Sequence, residues 1–436
     1  MKATDSYRKI NNSPYKLSDI CTITKGDTGI MKAIPGKYAM ITLGEEDKTH
    51  NEFQFDAKAV IVPLISSTGH GHASMKRVKY YEGKFALGNI LSAVIPKDET
   101  KVNAKYLHIY LHENRDRLLV PLMKGAANVS LPITRLENIK VVIPSIERQL
   151  EIVEQYQTIS NKNNQLANTF EDQTQLLFQL RQSILQEAIQ GKLTSEWREQ
   201  NPNVEPAAEL LKRIKAEFRL RSTTKGKKKE KPLAPIAENE IPFELPEGWV
   251  WCRLGEVCEI IMGQSPDGNS VNNSGDGIEF HQGKIFFTDK IIAKSNHTTN
   301  RITKIAPENS ILLCVRAPVG KVNITDRKLC IGRGLCALKA DPFIGFNLLY
   351  FLIATLENSF ISKSKGSTFT AISLDIIKNE TIPLPPLSEQ QAIVEKVEIL
   401  LEKCNQLQAE IETMNKHSKE LLKALFNETF EGEKEI

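Results

Sequence analysis

Leu387 to Ile436 reads LSEQQAIVEKVEILLEKCNQLQAEIETMNKHSKELLKALFNETFEGEKEI, and its apolar positions decide the fold. Taken as a helix, it has a seam at Ile393, Val397, Leu400, Cys404, Leu407, Ile411, Met414, Ser418, Leu421 and Leu425, in alternating steps of four and three. A 3.5-residue repeat held this long predicts a coiled-coil seam, narrower than the stripe of a helix lying on a globular core. Ser388 with Glu389, Gln390 and Gln391 supplies a cap, Pro385-Pro386 bars an earlier start, and Gly432 closes the far end. At 1.5 Å per residue the rod is roughly 66 Å long.

The same rod stands 241 positions earlier. Its seam is Ile152, Tyr156, Ile159, Asn163, Leu166, Phe170, Gln173, Leu177, Leu180 and Ile184, with Pro144, Gln149 and Gly191 under Pro385, Gln390 and Gly432. One offset over more than forty residues without a gap marks a duplication. Each rod leaves an apolar edge that water disfavours, so the two are expected to pack on each other, antiparallel.

Duplication extends into the globular parts. Leu254, Val257, Cys258 and Gly263 repeat Leu17, Ile20, Cys21 and Gly26, and Gly332 repeats Gly88. His281 to Thr303 resembles nothing in the first half. Short β-like runs at 20–24, 59–65, 90–95 and 139–143, with helical periodicity over 104–119, predict a mixed α/β domain. The expected organisation is α+β: a domain over 1–146, a long helix over 147–190, a short helix and basic linker over 191–240, a second domain over 241–386, and a long helix over 387–436. Two copies of one scaffold carry different loops.

Net charge over the 436 residues is only +4, but it is unevenly placed. Residues 1–146 carry 21 basic and 14 acidic side chains, 212–231 carry 10 and 2, and 387–436 carry 6 and 11. The acidic rods are poor partners for a polyanion, which leaves the globular parts to dock one. Ser222 to Lys231 (STTKGKKKEK) reads as a tether. Seven cysteines without a CxxC pair predict buried thiols in a reducing cytoplasm. The first residues lack the apolar core of a signal peptide, and no run of eighteen apolar residues predicts a membrane span.

Motifs for catalysis are not found. Gly277 and Gly283-Lys284 fail the phosphate-loop spacing, and Ile285 stands where Ser or Thr is required. His70-Gly-His72 has no cysteine or carboxylate at ligand spacing, so a polar loop tip is the better reading than a metal site. The loops do offer donors for nucleic acid. In the first domain these are Lys25, Ser67, Thr68, His70, His72, Lys76, Arg77, Lys124 and Asn128. In the second they are Gln264, Ser265, Arg316, Lys321, Arg327 and Arg333, then Lys363, Lys365, Ser367 and Thr368. Arg and Lys reach guanine edges and phosphates, Gln and Asn read adenine, and hydroxyls hold phosphates. Any one of these alone reads as a solvated loop residue; their mirrored placement on a duplicated frame points to a reading surface.

The whole chain resembles the specificity subunits of type I restriction–modification systems. The likeness is carried by the globule–rod–globule–rod order and by Ile143-Pro-Ser-Ile-Glu-Arg-Gln149, echoed at Leu384-Pro-Pro-Leu-Ser-Glu-Gln390. Gly191-Lys-Leu with Trp197-Arg198, Leu245-Pro-Glu-Gly-Trp249-Val-Trp251 and Leu312-Leu-Cys-Val-Arg316 add to it. The first domain departs from the pattern: it has no Leu-Pro-Glu-Gly-Trp lead, and Pro63-Leu-Ile-Ser-Ser replaces Leu-Cys-Val-Arg. The resemblance implies a non-catalytic DNA-recognition subunit. Each domain would read half of a bipartite site, the rods would set the spacing, and two adenine-methylating modification subunits and the restriction/translocase subunits would be partners. S-adenosylmethionine, ATP and magnesium would belong to those partners, with no cofactor on this chain. The alternative is a coiled-coil adaptor without a DNA role; an enzyme acting alone on nucleic acid is a further rival.

Overall fold

The computed structural model describes residues 14–68, 71–126, 128–224, 233–364 and 370–431, with backbone alone over 218–224 and 426–431. The chain divides into two compact units, 1–171 with 412–436, and 172–411. Each long helix contributes one part of its length to each unit.

In the first unit, β1 (Tyr15–Lys16) and α1 (Leu17–Ile20) lead into a six-stranded mixed sheet. Its strands are β2 (Cys21–Lys25), β3 (Tyr38–Ile41), β4 (Lys48–His50), β5 (Phe55–Pro63), β6 (Lys79–Leu87) and β7 (Leu91–Pro96), in the order β2-β7-β5-β6-β3-β4. Val60, Val62 and Val94 alternate onto one face, where α2 (Ala104–Glu113) buries Tyr106, Leu107, Ile109 and Leu111 against them. Asn103 caps α2, its side chain accepting from Lys105 N and Tyr106 N. Ile61, Phe85, Leu87 and Ala93 fill a second core. β8 (Lys140–Val141) pairs with β1, and α3 (Ile146–Ile189) begins five residues later.

The second unit opens with α4 (Ser195–Gln200) and α5 (Ala207–Thr224), then β9 (Val250–Arg253), α6 (Leu254–Val257) and β10 (Cys258–Met262). A small sheet is built from β11 (Val271–Asn272), β12 (Ile278–His281), β13 (Thr298–Thr299), β14 (Ile305–Ala306) and β17 (Leu329–Ile331). A four-stranded sheet, β10-β18-β15-β16, adds β15 (Ser310–Cys314), β16 (Val322–Thr325) and β18 (Leu335–Ala340). α7 (Phe346–Thr355) covers it, β19 (Thr381–Leu384) pairs with β9, and α8 (Leu387–Glu431) closes the chain. The stretch without counterpart in the first half, His281 to Thr303, contributes the end of β12 and the whole of β13 to the five-stranded sheet.

The duplication is visible bond by bond. Gly26 N donates to Leu91 O (3.0 Å) and Gly88 N to Ile41 O (3.1 Å); Gly263 N donates to Leu335 O (2.9 Å) and Gly332 N to His281 O (2.8 Å). A Cβ on Gly26 or Gly263 would sit within 2.3 Å of the carbonyl oxygen of Gly88 or Gly332, so the close strand approach in each unit requires glycine. Gln149 accepts from Asn103 N and donates to Lys101 O and Pro144 O. Gln390 accepts from Gly345 N and donates to Phe343 O and Pro385 O. The helix-entry glutamine thus ties each long helix to the loop that starts its domain's main helix.

Within the second unit, Leu177, Ile184 and Ala188 of α3 share one core with Ile393, Val394, Val397 and Cys404 of α8. The end of α3 lies at the start of α8, so the two run antiparallel as expected. The seam itself needs a correction. Leu180 and Leu407 are each 46% exposed, and Leu166, Met414, Leu421 and Leu425 are exposed as well. Beyond Cys404 the half-buried positions are Gln408, Ile411, Asn415, Ser418 and Leu422, one residue later than every second predicted position. The seven-residue repeat is kept: Cys404, Ile411 and Ser418 stay in place, while Gln408, Asn415 and Leu422 replace Leu407, Met414 and Leu421 on the other side of that line, so the facing stripe is turned to one flank of the predicted seam.

Candidate nucleic-acid interface

Strand direction brings the candidate loops of each unit together. In the first unit β2 and β5 flank β7 and both run against it, with Lys25 opposite Ser92 and Pro63 opposite Leu91. Their C-terminal ends and the Gly88 turn therefore lie at one edge of the sheet. Ile65 and Lys124 both bridge to Ser130, which brings the 124–129 turn beside the loop that follows β5. Lys25, His72, Lys76, Lys124 and Asn128 are exposed there.

The loop after β5 is held from within and from behind. Ser67 Oγ accepts from Lys76 N at 3.0 Å, and the Thr68 and Ser74 hydroxyls lie 2.7 Å apart. Arg115 Nε donates to Met75 O at 2.9 Å, and His108 Nε2 lies 2.9 Å from Val78 O. Burial pushes the His108 pKa down to about 4 and lowers that of His112. Arg77 is bonded to Glu45 (2.5 Å). Ser67, Thr68 and Arg77 thus shape the loop, whereas Lys76 on it, Lys25 at the end of β2 and Lys124 in the neighbouring turn are exposed. His70 lies outside the described residues.

The second unit repeats the plan. β10 and β15 flank β18, with Met262 opposite Cys336 and Cys314 opposite Leu335. Gly263–Ser265, Val315–Arg316 and Gly332–Gly334 emerge together, and Val315 N donates to Gly334 O at 2.9 Å. Gln264, Arg316 and Arg333 are exposed at this edge. Gln282, which the sequence reading did not single out, joins them: Ser265 Oγ donates to its Oε1 at 2.9 Å and accepts from Arg333 N at 3.2 Å.

Other candidates are placed differently. Arg327 follows β16, at the far end of the β15–β16 pair where Ser310 faces Thr325. Its guanidinium grips both carboxylate oxygens of Glu279 at 2.8 Å and the carbonyls of Ile292 and Ala293. Burial opposes ionisation of Glu279, but hydrogen bonds from Arg327, Ser295 N and His281 outweigh it and hold its pKa near 2. Arg327 thus ties β12 to the 292–293 segment. Lys321 pairs with Glu357, and Lys363 with the buried Glu380. Lys365, Ser367 and Thr368 lie outside the described residues.

The motifs that carried the resemblance meet at one buried carboxylate. Glu389, fully buried at the start of α8, accepts from Trp249 Nε1 (2.7 Å), Thr194 Oγ1 (2.6 Å) and Arg198 Nη1 (2.6 Å). Gly191, at φ 69°, ends α3 where a Cβ would meet Pro246 Cγ at 2.6 Å. These residues are structural.

All seven cysteines are buried and unpaired. Among the described residues no group of three His, Cys, Asp or Glu is placed to hold a metal ion, and no helix is long and apolar enough to cross a membrane.

The model of the type I restriction modification DNA specificity domain matches this chain twice, over residues 10–174 and 246–414. A relative from Methanocaldococcus jannaschii, provisionally named the type I restriction enzyme MjaX specificity subunit, is 28% identical over 84% of this chain and 78% of its own length. The type I restriction enzyme EcoDI specificity subunit of Escherichia coli is 25% identical over 96% and 88%. The HsdS subunit of Thermoanaerobacter tengcongensis superposes with a TM-score of 0.54 at 20% identity, over 99% of this chain and 100% of that one. A chain from a solved type I R-M system superposes with 0.68 at 21%, over 97% and 98%. At these identities the two structures speak for the fold. The duplicated frame, the two loop clusters and the twofold family match together make this chain a member of the type I restriction–modification DNA specificity family, a non-catalytic subunit that recognises DNA sequence.

Proposed function

We propose that the domains at 1–146 and 241–386 each read one half of a bipartite, asymmetric site on double-stranded DNA. In this reading the long helices act as a ruler and as the dock for two modification subunits in the cytoplasm. Adenine methylation with S-adenosylmethionine, and translocation and cutting with ATP and magnesium, belong to the modification and restriction/translocase partners. The observation that carries the reading is the pairing of an identical backbone frame at Gly26/Gly88 and Gly263/Gly332 with unlike loops on it. A shared frame presents two readers, and unlike loops suit two different half-sites.

The docking role rests on the helices. In the second unit α3 exposes Leu176, Phe178 and Leu180, and α8 exposes Ile399 and Leu407. Apolar side chains so placed are suited to burial by a protein partner. Co-expression with the modification subunits, followed by mapping of methylated adenines across a genome, tests the reading. One motif with two defined halves and a fixed spacer supports it; no motif counts against it.

A further inference from the structure

We propose that Gln282 is a base-reading residue of the second unit, and that it reads through its Nε2 donor. The proposal rests on the reading of that unit as a half-site reader. Gln282 follows β12 and reaches the loop edge because Gly332 N donates to His281 O at 2.8 Å, which fixes the end of that strand against the Gly332 turn. It is exposed there beside Gln264 and Arg333.

Its amide is oriented before any ligand arrives. The Ser265 hydroxyl accepts from Arg333 N, which leaves its proton to donate to Gln282 Oε1. The backbone closes around the same group. A Cβ on Gly332 would fall 2.3 Å from Gln282 Oε1, and one on Gly334 would fall 2.4 Å from Gln282 O. A side chain already held in one rotamer loses less entropy on binding than a free one.

The chemistry follows from which half of the amide is engaged. Glutamine reads adenine in the major groove by accepting from N6 while donating to N7. Oε1 accepts from Ser265 with one of its two lone pairs and lies against Gly332, where a Cβ would stand 2.3 Å from it, so this packing disfavours the bidentate adenine pair at Gln282. The Nε2 group makes no hydrogen bond to any described residue, so it is available to donate. The acceptors in the groove are guanine O6 and N7, adenine N7 and thymine O4; cytosine offers only its N4 donor. Gln282 therefore disfavours cytosine at one position of the second half-site. Ser265 is a positioning residue for it, acting through the Gln282 oxygen.

The test uses the full chain co-expressed with its modification subunits. Wild type, Gln282→Glu and Ser265→Ala are compared by mapping methylated adenines, and by binding of each complex to duplexes carrying each base in turn at every position of the second half-site. Gln282→Glu keeps the shape but replaces the donor by an acceptor. The expected result is a change confined to one position. There the discrimination against cytosine, roughly two- to ten-fold in wild type for a single hydrogen bond, is lost or reversed, while the first half-site and the spacer stay as they were. Ser265→Ala is expected to relax the same position. An unaltered motif with Gln282→Glu, or affinity reduced equally for all four bases, overturns the proposal. A wild-type complex that methylates no bipartite motif overturns the half-site reading and this proposal with it, whereas a changed first half-site overturns this proposal alone.

Discussion

Trp249 Nε1 donates to Glu389 Oε2 across 2.7 Å, with the carboxylate fully buried. The bond joins the strand that opens the second domain to the first turn of α8. Thr194 and Arg198, which follow α3, hold the other carboxylate oxygen. Removing the carboxylate strands a guanidinium, an indole N–H and a hydroxyl in a largely dry site. Glu389→Ala is expected to destabilise the second unit by about 3–5 kcal/mol, and Glu389→Gln by about 1–3 kcal/mol. The three tryptophans, 197, 249 and 251, all lie in this unit, so denaturant unfolding followed by indole fluorescence reads the effect. A midpoint unchanged by Glu389→Ala contradicts the assignment.

Gln149 and Gln390 are expected to be equivalent in energy and separate in effect. Each is buried and bonded to backbone groups at its helix entry. Replacement by Ala leaves those groups unsatisfied, at about 1–3 kcal/mol. Gln390→Ala is expected to shift the tryptophan transition. Gln149→Ala is expected to leave that transition in place and to lower the midpoint of a circular-dichroism component alone.

The loop after β5 in the first unit is expected to be sensitive to acid. An unfolded histidine titrates near 6.5, and burial holds His108 near 4. Between these values the unfolded chain binds more protons, so stability rises with pH across the window and is lost as pH falls from about 6.5 to 4. For His108 the loss is up to roughly 3 kcal/mol. His112 is shifted in the same direction and adds to it. Urea midpoints at pH 7 and pH 5 are expected to differ less in His108→Gln than in wild type. An equal difference in both contradicts the role of this ring.

Much of the plan was legible in the sequence. The offset of 241 located both helix entries, and the glycines at 26, 88, 263 and 332 marked the repeated frame, in which Gly26 and Gly263 meet a neighbouring backbone too closely for a Cβ. The choice between adjacent leucines on α8 was not legible. Leu421 and Leu422 are equally apolar and lie three and four residues from Ser418, so the pattern alone does not say which flank of the Cys404–Ile411–Ser418 line turns inward; the structure turns in Leu422. Arg327 and Gln282 show the same limit. Both are polar loop residues, and the position of Glu279 or Ser265 in space decides which one is engaged in holding the fold. The glycines on either side of Arg333 were the available sign that another backbone, that of Gln282, passes close by.

The ruler reading makes a geometric prediction. Adding one heptad to both long helices lengthens each by about 10 Å, or roughly three base pairs of duplex. The spacer in the methylated motif is expected to grow by that amount with both half-sites retained. An unchanged spacer contradicts a rigid ruler.

The account centres on two independent readers carried by one frame. Exchanging residues 241–386 for the corresponding segment of another family member, and mapping methylated adenines with the modification subunits present, addresses it most directly. The account predicts that one half-site changes while the other half and the spacer remain. A motif altered in both halves would contradict it.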